Sequence, residues 1–130
     1  MILVDSSAWI EFERGTDSTA HLALRHAVAS ESELATTGFV MLEVLAGGRD
    51  ERESANLRRM LGHCRLIPAE EPTDHETAAA LYRACRRAGT TIRRLPDCLI
   101  AAIAIRADVP VLHRDADFDA IARHSDLRIA

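Results

Sequence analysis

The stretch Met1-Ile2-Leu3-Val4-Asp5-Ser6-Ser7-Ala8-Trp9-Ile10 decides the fold. Residues 1–4 are apolar without alternation, which marks a strand buried on both faces of a parallel sheet. Ser6 or Ser7 can then cap a helix running through Ala8, Trp9, Ile10 and Phe12 to a stop at Gly15. A buried strand that feeds a helix at once is the opening half of a βαβ unit.

The rest of the chain repeats that alternation. A helix is expected from Ser18, with Leu22, Leu24, Ala27 and Val28 as its apolar positions, then a strand over Glu33 to Thr37. Phe39 to Ala46 reads as a helix apolar nearly all round, closed by Gly47-Gly48, and Asp50 to Leu61 as an amphipathic one. Arg65 to Ile67 is a short strand ended by Pro68. Thr73-Asp74-His75-Glu76 has the spacing of a capping box opening a helix that stops at Gly89. Pro96 suits a first helical position, before Asp97 to Arg106. Pro110 to His113 is a buried strand, Asp115 to His124 a short helix, and Leu127 to Ile129 an edge strand. Strands separated by helices predict one domain over residues 1–130, a three-layer α/β/α sandwich with a mostly parallel central sheet.

Composition removes several functions. The chain has 130 residues, a net charge of −4, and 16 basic residues, all arginine. Without lysine there is no Walker-type phosphate loop and no pyridoxal Schiff base. Apolar residues make up 48% and charged ones 28%, as in an ordinary soluble domain. No leader-like segment or membrane-length apolar run is visible, and Cys64, Cys85 and Cys98 form no C-x-x-C pair. A cytoplasmic protein with reduced thiols is expected. The acidic balance argues against a nucleic-acid binder of the purely electrostatic kind.

Acidic side chains hold the chemical signal. Ligands of doubly wound sheets sit beyond the carboxyl ends of the strands. Asp5 ends the first strand, and Asp115 and Asp117 follow the one through Leu112. Each also suits helix capping. Glu43 in an apolar helix is expected to be buried, against either a metal or a buried arginine. Asp97 opens another apolar helix, where the dipole alone would favour it. Should these acids converge, their repulsion would be relieved by a divalent cation, and all-oxygen ligands select Mg²⁺ or Mn²⁺.

Four segments carry a family likeness: Ile2 to Ile10, Glu43-Val44-Leu45-Ala46-Gly47, Pro96 to Ala104, and Leu112-His113-Arg114-Asp115-Ala116-Asp117-Phe118-Asp119. With them the chain resembles PIN-domain ribonucleases, and within these the VapC-type toxins of bacterial toxin–antitoxin pairs. The resemblance implies a PIN-like fold with Asp5, Glu43, Asp97 and Asp115 as catalytic, metal-binding acids. It adds Asp117 as a fifth, accessory acid and Ser6 as a polar neighbour. It further implies Mg²⁺- or Mn²⁺-dependent endonucleolytic cleavage of RNA, with tRNA a common target. A VapB-type antitoxin and a homodimer are implied as partners. Many relatives have Asn or Thr ahead of the fourth acid, where this chain has His113-Arg114.

Phosphate contact then falls to arginine, whose fork suits it. Arg93 and Arg94 precede the helix of Asp97, and Arg114 and His113 adjoin Asp115. The stripe Trp9, Ile10, Phe12 reads as core or as a groove for an antitoxin segment. The alternative to an endoribonuclease is a catalytically silent PIN-like module that binds RNA or protein; a DNA-directed nuclease of the same superfamily would need extra helical arches.

Overall fold

The computed structural model describes residues 1–130. Its single sheet holds β1 (Ile2–Val4), β2 (Leu34–Thr36), β3 (Arg65–Leu66) and β4 (Val111–Leu112), all parallel, in the order β3-β2-β1-β4. The register sets Leu3 beside Ala35 on one side and Val111 on the other, all fully buried. Seven helices connect and flank it: α1 (Ser6–Arg14), α2 (Thr19–Ala29), α3 (Gly38–Ala46), α4 (Glu51–Leu61), α5 (Thr73–Arg87), α6 (Leu95–Ala107) and α7 (Ala116–Arg123).

The chain steps outward from β1 to β3, then returns across the sheet to β4. Right-handed crossovers therefore put α1–α4 on one face and α5–α7 on the other. This is the α/β/α sandwich expected from the sequence. The reversal opens a crevice beyond the carboxyl ends of β1 and β4, and the backbone N–H of Asp5 donates to Leu112 there at 2.9 Å. Behind the crevice, α6 is the central helix, with Cys98, Ile100, Ala101, Ala102, Ile103 and Ala104 all buried. All three cysteines are free thiols, and no helix is long and apolar enough to cross a membrane.

Four local expectations are corrected. Asp5, not Ser6 or Ser7, caps α1: its backbone is extended (φ −71°, ψ 157°) and its carboxylate accepts the Ser7 N–H at 3.0 Å. No capping box forms at Thr73. Pro72 holds the cap position, and the Asp74 carboxylate turns to the Glu70 N–H at 2.8 Å and to Arg106. Helix α3 buries only Val40 and Val44; Leu42 is 61% exposed, because α1, α4 and α6 leave one side of α3 open. Glu43 itself stays mostly covered, with its side chain 16% exposed. The edge strand at Leu127 to Ile129 reduces to one bridge between Val111 and Ile129.

Candidate metal centre

The fold delivers acids to the crevice from four elements. Asp5 leaves β1, Asp115 and Asp117 follow β4 into α7, Asp97 lies in the first turn of α6, and Glu43 projects from α3. Oxygens of Asp97, Asp115 and Asp117 lie within 4.8 Å of one another. Asp5 is near enough for its charge to act on Asp97. Glu43 stands at the edge, tied to the group through Ser6 and Arg94: Ser6 Oγ donates to Glu43 Oε1 at 3.3 Å, and Arg94 forms an ion pair with Glu43.

Capping explains only part of this arrangement. Asp5 Oδ2 accepts from the Ser7 backbone and from Ser7 Oγ, the latter at 2.5 Å, whereas Asp5 Oδ1 is buried with no partner. Asp115 Oδ1 caps α7 by accepting the Asp117 N–H at 3.0 Å. Asp97 makes no cap bond, is 1% exposed, and has Oδ2 buried without a partner. Most buried polar atoms find a partner, so two orphaned carboxylate oxygens in one crevice need a cause.

Electrostatics points the same way. The Asp97 pKa is raised to about 8, by burial first and then by the charges of Asp5 and Asp115, with Arg94 opposing and Asp117 adding to the rise. Burial also raises Asp5, against the Ser7 and Ser6 hydrogen bonds, and Asp115 adds to the rise. The group is short of positive charge. An all-oxygen donor set fits a hard divalent cation, which would satisfy the orphaned oxygens and remove the repulsion together.

Arginines line the rim. The guanidinium of Arg93 is 74% exposed and lies 3.5 Å from Asp115; that of Arg94 is 47% exposed. Arg114 points to Glu11 at 3.7 Å. His113 is differently placed from the expectation of substrate contact. Its Nδ1 accepts the Asp115 N–H at 2.9 Å, its Nε2 lies 3.3 Å from Asp119, and its ring is tilted against Phe118, so it braces the turn into α7. Trp9 is core, packed edge-on to Phe12, while Ile10 reaches the surface. A cavity of about 610 Å³ lies beside Trp9, lined by Val28, Leu34 and Met60 together with Glu31 and Glu33, and none of the crevice acids borders it.

One residue escaped sequence reasoning. Ser7 Oγ donates to Asp5 and accepts the Arg114 N–H at 2.9 Å, stitching the end of β1 to the segment after β4. The available signal was a hydroxyl two residues after an acid that caps a helix.

The PIN domain family model matches residues 2–124. Ribonuclease VapC11 of Mycobacterium tuberculosis is 41% identical over 131 residues, covering 100% of this chain and 98% of its own. Among solved structures, VapBC2 from Rickettsia felis, bound to a DNA fragment from its promoter, superposes with a TM-score of 0.77 at 17% identity, covering 100% of this chain and 98% of its counterpart. VapC20 of Mycobacterium tuberculosis, a toxin that cleaves the sarcin-ricin loop, gives 0.71 at 18% identity, covering 98% and 99%. At those identities the two structures speak for the fold.

Proposed function

The chain belongs to the PIN-domain family, and from that premise we propose that it is a VapC-type endoribonuclease toxin, dependent on Mg²⁺ or Mn²⁺ and neutralised by a VapB-type antitoxin. The observation that carries the chemistry is the pair of buried, unpartnered oxygens on Asp5 and Asp97, set among further acids. Asp5, Glu43, Asp97 and Asp115 would hold the ion. A divalent cation bound there supplies a water of lowered pKa and neutralises charge developing on the phosphate.

The protein's own groups do the rest. The cap bond to Ser7 fixes one oxygen of Asp5 and leaves the other buried without a partner. The rigid apolar body of α6 holds Asp97 in place, and its dipole favours the ionised form at that end. Ser6 orients Glu43. Exposed Arg93 and Arg94 offer planar forks to the RNA backbone, with Arg114 further out. Water, rather than a ribose 2′-OH, attacks phosphorus, so the products carry 5′-phosphate and 3′-OH ends. A homodimer and an antitoxin segment seated on the α1 side, near Ile10, Phe12 and the Trp9 cavity, complete the reading.

The test is cleavage of total RNA by antitoxin-free protein in Mg²⁺ or Mn²⁺ and in EDTA, beside Asp5→Asn and Asp97→Asn. Cutting by wild type alone, and only with metal, is expected. Equal cutting by all three proteins would refute the carboxylate mechanism, and no cutting under either metal would favour a silent RNA- or protein-binding module.

A further inference from the structure

Asp117 differs from the other acids of the crevice in how its oxygens are used. Oδ2 accepts the backbone N–H of Arg94 at 3.0 Å and Oδ1 that of Arg93 at 3.3 Å. Asp5 and Asp97 each keep an orphaned oxygen, and Asp117 keeps none. The two bonds reach back 24 and 23 residues, from the first turn of α7 to the segment that opens α6. Helix α6 has no side-chain cap of its own: Arg94 holds the cap position with extended backbone and contributes no capping side chain. Asp117 therefore fixes the backbone just ahead of α6 from outside that helix.

The fixed residues are the two arginines of the crevice rim. With their N–H groups held by one carboxylate, their side chains leave the backbone in set directions, that of Arg93 toward Asp115 and, at 3.8 Å from its Nε, Asp117 itself, and that of Arg94 toward Glu43. Both guanidiniums remain half to three-quarters exposed, as phosphate-binding groups must be. Asp117 is itself nearly buried, at 5% exposure, and is poorly placed to touch RNA.

We infer that Asp117 is a positioning residue for RNA binding: it clamps the backbone of Arg93 and Arg94 so that their guanidiniums stand over the crevice. The inference rests on the ribonuclease reading and gives one acid of the crevice a task toward the arginines.

The clamp has a distinctive sign. Plain electrostatics says that removing a negative charge beside an RNA site strengthens RNA binding. The clamp says the reverse, because Asn offers one acceptor where two N–H groups must be met.

Anisotropy on the full chain tests it. In EDTA, the affinity for a fluorescein-labelled, mixed-sequence single-stranded RNA is read for wild type, D117N, D117E, R93Q/R94Q and the triple variant D117N/R93Q/R94Q. D117N is expected to weaken binding by about five- to tenfold, and D117E, which keeps the charge but displaces the carboxylate, to do the same. In the R93Q/R94Q background D117N should add less than about twofold, since the groups it positions are gone.

Tighter RNA binding by D117N, or an equal D117N effect with and without the arginines, would overturn the inference while leaving a cleaving wild type intact. Should D117N fold poorly, D117E carries the RNA measurement alone with the same criteria. Wild-type protein that neither binds this RNA nor cleaves total RNA in Mn²⁺ would overturn the ribonuclease reading, and the inference with it.

Discussion

Asp97 and Asp74 are equally buried, each 1% exposed, and both belong to contacts of helix α6, one at each end. Their surroundings are opposite. Asp74 receives Arg106 Nε at 3.0 and 3.1 Å, Arg106 Nη2 at 2.9 Å and the Glu70 N–H at 2.8 Å. Arg106 is further held by the Pro68 carbonyl at 2.8 Å and by Glu70 at 3.3 Å. Burial alone would raise the Asp74 pKa, but Arg106 and the Glu70 N–H outweigh it and hold the carboxyl below its ordinary value. Asp97 has an orphaned oxygen, acidic neighbours and a pKa raised to about 8. Two carboxylates of equal burial thus do opposite work. The satisfied one fastens α5 to α6, and the unsatisfied one has no cationic partner fastened to it within the fold.

The largest effect should fall on the unsatisfied end. Asp97→Asn is expected to lower RNA cleavage by more than about 100-fold, since it removes a proposed ligand rather than an outer partner. Initial rates on total RNA in Mn²⁺ check this, and a loss below tenfold would erase the contrast between the two acids.

The satisfied end should answer in stability. Asp74→Ala leaves Arg106 without its main partner and should destabilise by about 2–4 kcal/mol, at or below the usual cost of breaking a buried pair because Arg106 is 28% exposed. Urea denaturation in EDTA measures it, and a change under about 1 kcal/mol would deny the network its role.

A third consequence separates the two acids by pH. An acid whose native pKa exceeds its unfolded value near 4 keeps its proton in the native state between the two values, so the stability it contributes is complete below pH 4 and is lost as pH rises toward 8. Asp97 is that case. Asp74 is the converse: its contribution is complete above about pH 4 and disappears on acidification through its lowered native pKa. In EDTA, Asp97→Asn should flatten the decline in stability between pH 4 and 8, and Asp74→Asn should flatten the loss below pH 4. Melting curves across pH read both slopes; a wild type that gains stability from pH 4 to 8 as steeply as Asp97→Asn does would contradict the assignment.

The smallest effect distinguishes fork from charge. Arg106→Lys keeps the ion pair but cannot reproduce the two-pronged contact with Asp74 and the bond to Pro68, so a cost of about 1–2 kcal/mol is expected by the same denaturation. A neutral result would mean that charge alone sustains this end of the helix.

The same contrast shows what the sequence could reveal. The apolar runs at Ile2 to Val4 and Cys98 to Ala104 declare the central strand and helix, because burial on all sides leaves no polar position to blur the pattern. Asp5, Glu43, Asp97 and Asp115 were recognisable as a group through their order along a family pattern. Asp74 reads as part of a local capping box, because its true partner Arg106 is 32 residues away and side-chain spacing records only neighbours on one helix. Helix α3 misled in another way: Phe39 to Ala46 is apolar, but hydrophobicity does not say whether this chain itself covers the helix, and Leu42 stands in solvent. His113 lies beside the acids in sequence and is absorbed in bracing α7, a matter of ring orientation that no one-dimensional pattern contains.

The central claim is that the orphaned acids Asp97, at the start of α6, and Asp5, at the end of β1, form a cation site at a cost to the metal-free fold. Thermal melting of wild type and Asp97→Asn at pH 7.5, each in EDTA and in Mn²⁺, tests it most directly. The variant should melt above wild type in EDTA, and Mn²⁺ should raise wild type strongly while leaving the variant nearly unmoved. A variant that melts below wild type in EDTA, with Mn²⁺ shifting both alike, would show Asp97 to be an ordinary structural acid.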